Sequence, residues 1–249
     1  MQYKVTKNHI LPFLEKHINL EKPIRVLEIG CAEAGVLKAF TDLGHTCMGI
    51  ELSEGRIKLA AAFHEEAVKS GLISFVCRDI YDIDTEKDLS DKFDLVILKD
   101  VIEHIHDQGK FMQRLKKYLK PNGKVFFGFP PWQMPFGGHQ QICKNKIASK
   151  LPYYHLLPRP LYKGILSSFG ESAGTVEALL EIKETGISVE RFEKILKKED
   201  FTVFKRQFFL INPIYEYKFD LKPRTQNGLL STIPYFRNFY STCAYYLVG

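Results

Sequence analysis

The sequence predicts an open, doubly wound α/β sheet, and three observations carry that expectation. Short apolar runs rich in Val, Ile and Phe recur through residues 24–129, as strands buried on both faces do. Stretches of helical periodicity separate them, which calls for parallel strands joined by crossover helices. Beyond each of the first four runs stands a small-residue turn or an acid, at the carboxyl ends of the strands where such folds bind ligands.

Ile10, Leu11, Phe13, Leu14, His17 and Ile18 recur at helical spacing, so an amphipathic helix is expected to open the chain and end before Pro23. The expected strands are Ile24–Ile29, Thr46–Ile50, Ile73–Cys77, Phe93–Leu98 and Lys124–Phe129. Between them, helices are expected over Glu33–Leu43, over Ser53–Ser70 with Ser53 as N-cap, and over Gln108–Leu119, the last stopped by Pro121-Asn122-Gly123. Residues 131–187 break the rhythm with Pro131, Pro135, Pro152, Pro158 and Pro160 among aromatics, and helical pattern returns at Thr175–Glu184. So long an irregular excursion reads as an inserted lid or acceptor-binding segment within a single domain of residues 1–249. A helix over Ser188–Lys198 and strands over Phe201–Ile211 and Cys243–Val248 complete the reading.

The chain has 249 residues, 45% of them hydrophobic, enough for a full core, and its 17 Gly and 12 Pro argue against fibrous repeats. No apolar run approaches the roughly 18 residues of a membrane span and no signal-peptide pattern opens the chain, so a cytoplasmic location is expected. Five dispersed cysteines without a C-x-x-C pair suggest neither a disulfide framework nor a zinc cage. The net charge of +6 is uneven: residues 1–130 hold 19 Lys+Arg against 19 Asp+Glu, and residues 131–249 hold 16 against 10. That excess suits an anionic partner, but without a dense basic block nucleic acid is not the expected one.

Candidate binding residues follow from the strand ends. The turn Glu28-Ile29-Gly30-Cys31-Ala32-Glu33-Ala34-Gly35 lets a ligand approach the backbone. Glu51 stands 21 positions after Gly30, where an acid can accept from both ribose hydroxyls. Asp79 and Ile80 follow the third strand, where a carboxylate and backbone can read an adenine edge. The fourth runs into Lys99-Asp100-Val101-Ile102-Glu103-His104.

With VLEIGCAEAG, GIELS, CRDI, FDLVILKDVIEHIHD and LKPNGKVFFGFP in that order, the chain resembles class I S-adenosylmethionine (SAM)-dependent methyltransferases of the small-molecule kind that includes ubiquinone-biosynthesis O-methyltransferases. The resemblance implies a Rossmann-like, mostly parallel sheet of seven strands whose last two form an antiparallel hairpin. It implies SAM as cofactor, with Glu28, Gly30 and Ala32 near its methionine part, Glu51 and Leu52 at the ribose, Asp79 and Ile80 at the adenine, and the Lys99 backbone by the amino group. The family usually has glycine where Ala32 and Ala34 stand, a departure that bears on how closely the cofactor approaches, since alanine tolerates a close ligand only at negative φ. Gly30-x-Ala32-x-x-Gly35 also approximates a dinucleotide fingerprint, but Glu28 would crowd a pyrophosphate, which disfavours NAD.

Methyl transfer from a sulfonium is an in-line displacement that needs a base only when the acceptor hydroxyl is weakly acidic. His139, on a glycine-flexible loop after the fifth strand, is the first candidate, followed by His104 and Asp100. His104 and His106 lack a third ligand, so no metal is expected. Trp132, Phe136, Tyr153, Tyr154 and Tyr162 are candidate walls for a small acceptor such as a sugar, phenol or lipid-linked intermediate methylated at a hydroxyl or amine, with His155, Arg159 and Lys163 available for its negative charge. An RNA methyltransferase using the basic half, or a non-catalytic SAM- or NAD-binding module, are the alternative readings. The oligomeric state is not legible.

Overall fold

The computed structural model describes residues 1–89 and 91–249. Eight strands form one sheet: β1 (Arg25–Ile29), β2 (Thr46–Glu51), β3 (Ile73–Cys77), β4 (Phe93–Lys99), β5 (Leu119–Phe129), β6 (Val203–Ile211), β7 (Arg224–Thr225) and β8 (Cys243–Val248). Their order is β3-β2-β1-β4-β5-β8-β6-β7. The first five are parallel, and β8 runs antiparallel between β5 and β6. The expected mixed, doubly wound sheet is therefore present with one strand more than the seven expected, the two-residue β7 on the β6 edge. The expected hairpin is also looser, because residues 212–242, with helices Ile214–Phe219, Gly228–Thr232 and Phe236–Phe239, intervene between its strands.

Strand order reverses around β1, which pairs with β2 on one side and β4 on the other. The carboxyl ends of β1 and β4 consequently lie where the strand order reverses, the position where open sheets take ligands. Alternation along the strands sends Leu27, Val96, Leu98, Phe127 and Tyr246 into one core layer, and Val26, Leu95, Ile97, Phe126 and Tyr245 into the other. Phe13 and Phe40 close the second layer, and Phe192 closes the first.

Several helices are shorter than expected, each for a local reason. The opening helical segment runs as Gln2–Val5, Thr6–Ile10 and Leu11–Leu14, burying Val5, Ile10, Phe13 and Leu14 and stopping well before Pro23. The expected Glu33–Leu43 contracts to Leu37–Thr41 because Ala32 and Ala34 adopt left-handed backbone. Ser53 caps Glu54–Phe63, its Oγ accepting from the Arg56 N–H at 3.4 Å, but a break at His64 separates Glu65–Lys69. Pro121-Asn122-Gly123 falls inside β5 as a bulge, Phe93 pairing with Leu119 and Leu95 with Lys124. In residues 131–187, helices Arg159–Ser168 and Ala173–Thr185 enclose a separate small core of Tyr154, Tyr162, Leu166, Val176 and Leu179. Among the described residues no helix is long and apolar enough to cross a membrane.

Candidate functional site

Two adjoining cavities open at these strand ends, and Gly30 borders both. One, of about 160 Å³, is walled by Ile29, Ile50, Leu52, Ile80, Val101 and Ile105, with Glu51 and Asp79 at its border. The other, of about 200 Å³, is polar and bordered by Gln2, Glu28, Ala32, Arg56, Lys99 and Asp100. Glu28, Gly30, Ala32, Glu51, Leu52, Asp79, Ile80 and Lys99, singled out on separate strand ends, thus line two cavities that share Gly30.

The β1 turn is tight. Gly30 has φ +70°, and a Cβ there would meet Val101 Cγ2 at 2.7 Å. Ala32 (φ +48°) and Ala34 (φ +57°) are left-handed as well, so the negative φ that close approach would require of an alanine is not kept. The turn keeps the backbone that glycine would give it, and the alanine Cβ atoms bear the crowding. Glu51 helps hold it: one carboxylate oxygen accepts the Ala32 N–H at 3.0 Å, the other the Leu52 and Ser53 N–H groups, each at 3.0 Å. At the β3 end, Asp79 accepts the Tyr81 N–H at 2.8 Å, while Tyr118 and Arg114 donate to the Ile80 carbonyl at 2.9 and 3.3 Å.

Charge is concentrated at the polar cavity. Glu28 is 3% exposed, and its Oε2 has no hydrogen-bond partner among the described residues. Burial pushes its carboxyl well above the usual range, with Lys99 opposing. The Lys99 side chain is buried and donates to Asp100 Oδ2 at 2.6 Å. Burial works against that ammonium, but Asp100, with Cys243 and Glu103 adding, holds the Lys99 pKa above its ordinary value. Asp100 is itself left-handed (φ +57°), its N–H donating to the Gly128 carbonyl at 2.7 Å.

On the rim, the His104 and His139 rings meet edge to face with centroids 5.0 Å apart. Burial, with His104 adding, lowers the His139 pKa to about 4, and burial also lowers that of His104. Glu103 lies beside them, buried, with neither carboxyl oxygen partnered among the described residues. One ligand atom from each of Glu103, His104 and His139 lies within 4.8 Å of the others. Two neutral imidazoles and a carboxyl at such spacing could hold a divalent cation, a grouping of His104 with Glu103 and His139 in place of the His104–His106 pair weighed from the sequence. His106 turns away to Glu181 at 3.1 Å. The loop carrying His139 is packed rather than flexible: a Cβ on Gly137 would come within 2.2 Å of the Trp132 carbonyl oxygen, and one on Gly138 within 2.4 Å of His155 Cβ.

The acceptor residues are dispersed. Phe136 adjoins the imidazoles, its carbonyl accepting the His139 N–H at 3.1 Å. Trp132 packs against His155 (4.7 Å between centroids) with Lys183 over its ring, and the Tyr153 hydroxyl donates to the Phe239 carbonyl at 3.2 Å. Tyr154 is buried in the core of the 131–187 segment, ring against Tyr162 and hydroxyl 3.6 Å from Cys143 Sγ. Arg159 pairs with Glu184 on the outer face. His155 is also buried, with Nε2 2.8 Å from the Trp132 carbonyl oxygen. Sequence reasoning passed over Glu103 and Gln2. The first sits beside His104 in the same motif; the second carries no signal, reaching the cavity only because its helix lies over Gly35.

A family model described as a methyltransferase domain matches residues 1–146. Similar curated proteins include ubiquinone biosynthesis O-methyltransferases from Nitrobacter winogradskyi, 32% identical over 110 residues (44% of this chain, 40% of that protein), and Rhodopseudomonas palustris strain HaA2, 36% identical over 109 residues (43% and 40%). The matches thus span 40% of the length of these relatives. Among solved structures, a magnesium protoporphyrin IX methyltransferase from Synechocystis PCC 6803 with bound SAH aligns with TM-score 0.56 and 16% identity, over 99% of this chain and 83% of that one. A SAM-dependent methyltransferase from Clostridium acetobutylicum ATCC 824 aligns with TM-score 0.58 and 12% identity, over 99% and 91%. Likeness at these identities is one of fold.

Proposed function

The chain belongs to the methyltransferase-domain family, and from that premise we propose that it transfers a methyl group from SAM to a hydroxyl of a small organic acceptor. The observation that carries this reading is the paired cavity around Gly30, apolar at one end and charged at the other. Such a space suits a ligand with a flat ring at one end and an amino acid at the other. The orphaned, buried Glu28 Oε2 calls for a donor such as an α-ammonium, and a side chain at Gly30 would have no room.

When bound, the sulfonium supplies a methyl group already activated for displacement. Glu51 would accept from ribose hydroxyls, with Leu52 beside it, while Asp79 and Ile80 border the adenine. Glu28, the Ala32 turn and Lys99 would hold the amino-acid end. The chain's remaining task is alignment of the acceptor and exclusion of water, and orientation of this kind can contribute about 7–11 kcal/mol. Burial keeps His139 and His104 neutral, each with a ring nitrogen to accept from an acceptor hydroxyl; the same burial weakens them as bases, and Asp100 near them works the other way. Residues 131–187 would form the lid over that side, with Phe136 next to His139.

The name shared by the curated relatives supports oxygen as the atom methylated. Equilibrium titration with S-adenosylhomocysteine tests the cofactor: micromolar affinity is expected, weakened at least tenfold by Glu51→Ala, whereas binding of NADH alone would replace the reading with a dinucleotide module. A screen of metabolite extracts with labelled SAM addresses the acceptor, and binding without turnover would leave a non-catalytic module. The clustering of Glu103 with both imidazoles favours a second reading of the proton step, in which the three hold a divalent cation that lowers the acceptor's pKa. Turnover unaffected by exhaustive chelation rejects that variant and keeps His139 as base.

A further inference from the structure

The positive excess of residues 131–249 takes no part in the site described above. Much of its asymmetry arises because residues 131–170 contain five Lys or Arg and neither Asp nor Glu. Within them, the short turns Gln140–Ile142 and Ala148–Lys150 bury Cys143 and Ala148 in the segment's own core. The same turns leave Ile142, Ile147 and Leu151 on the outside, 55%, 64% and 39% exposed. Lys144, Lys146 and Lys150 are interleaved with them and exposed as well. Glu171, the next acid along the chain, is buried and committed to the loop's backbone, accepting the Lys144 and Asn145 N–H groups at 3.1 and 2.8 Å. Through the hydrogen bond from the Tyr153 hydroxyl to the Phe239 carbonyl, this loop adjoins a second exposed group, Tyr235, Phe236 and Tyr240.

We propose that this face docks on an anionic lipid bilayer. Branched aliphatic side chains held in water gain only by entering an apolar phase, and lysines spaced among them attract anionic headgroups as they do so. Tyrosines suit the headgroup boundary, where the ring is buried and the hydroxyl stays wet. A polynucleotide would use the lysines and stack on the aromatics, but it would leave Ile142, Ile147 and Leu151 unused. Hydrogen bonds already fix the loop: Asn145 Oδ1 accepts the Ile147 N–H at 2.9 Å, and the Gln140 amide donates to the carbonyls of Pro135 and Leu151 at 2.9 and 3.3 Å. Little ordering is therefore required on contact. The Ile142 N–H donates to the His139 carbonyl at 3.1 Å, so the docking loop is continuous with the imidazole rim.

Co-sedimentation of the full chain with vesicles tests the proposal, comparing phosphatidylcholine alone with an equal mixture of phosphatidylcholine and phosphatidylglycerol. At low salt the protein is expected to pellet with the mixed vesicles and to be released as salt is raised. The double variant Lys144→Gln, Lys150→Gln is expected to lower the partition coefficient by roughly thirtyfold. Ile147→Asp is expected to lower it by roughly tenfold. Both variants should keep the unaltered circular dichroism and thermal midpoint, because the changed side chains are exposed. Protein left in the supernatant with mixed vesicles, variants that pellet like the unaltered chain, or single-stranded RNA binding that replaces vesicle binding and ignores Ile147→Asp would each overturn the proposal.

Discussion

Ala32 and Ala34 show how a ligand-approach turn can be kept without the residue that fits it most easily. Left-handed backbone costs an L residue about 1–2 kcal/mol relative to its right-handed form, so glycine at either position relieves strain. For Ala32, which is half-buried, that relief dominates, and Ala32→Gly is expected to stabilise the fold by about 1 kcal/mol. Ala34 is fully buried, so losing its methyl offsets about 0.8 kcal/mol of the gain and Ala34→Gly should be close to neutral. Gly30→Ala reverses the logic, adding both a left-handed alanine and a clash with Val101, and should destabilise by about 2–4 kcal/mol. Scanning calorimetry on the three variants gives the order; a lowered midpoint for Ala32→Gly would mean that its Cβ makes contacts outweighing the strain. The motif made the turn legible, but not its φ angles, because sequence says which residues stand there and not how tightly the neighbouring Val101 closes on them.

At the scale of elements, the strands were the most readable part of the chain. Fully buried β8 was expected over the residues it occupies, and β1 to β4 within a residue at either end, because continuous apolar runs between turn residues admit few other readings. Residues 212–242 gave no such signal. Their helices are four to six residues long and are held by tertiary contacts instead of their own periodicity. The main fastening is Arg237, 5% exposed, whose guanidinium donates to Glu190 at 2.9 Å and to Glu193 at 2.8 Å on the helix Val189–Lys198. Glu193 also accepts from the Tyr246 hydroxyl at 2.7 Å, tying the helix to β8. Arg237→Met takes the paired guanidinium from Glu190 and leaves Glu193 paired to Arg206, and is expected to cost about 3 kcal/mol, read as a lower denaturation midpoint. A loss under 1 kcal/mol would show that the excursion is held chiefly by its apolar contacts.

For the molecule as a whole, what was legible in the site divides between its two halves. The strand-end side follows from topology: once five strands are parallel and the order reverses around β1, their carboxyl ends lie along one rim, and the residues quoted from those ends line the two cavities there. No comparable rule governs the acceptor side. The aromatics of residues 131–187 lack a strand or long helix to assign their direction, and Tyr154 turned inward while Arg159 turned out. A ligand that binds only the folded chain stabilises all of it. At a hundred times its dissociation constant, S-adenosylhomocysteine should add about 2.7 kcal/mol and raise the thermal midpoint by roughly 5–10 °C. An equal rise with NADH, or none with either, would count against the paired cavity as an adenosyl site.

The placement of β8 between β5 and β6 bears on how the polypeptide matures on the ribosome. The five parallel strands can assemble as soon as they emerge, but β6 reaches them only through a strand translated after it. Until Cys243–Val248 leaves the exit tunnel, nascent β5 and β6 both present an open edge, and that interval is when a chaperone has most to protect.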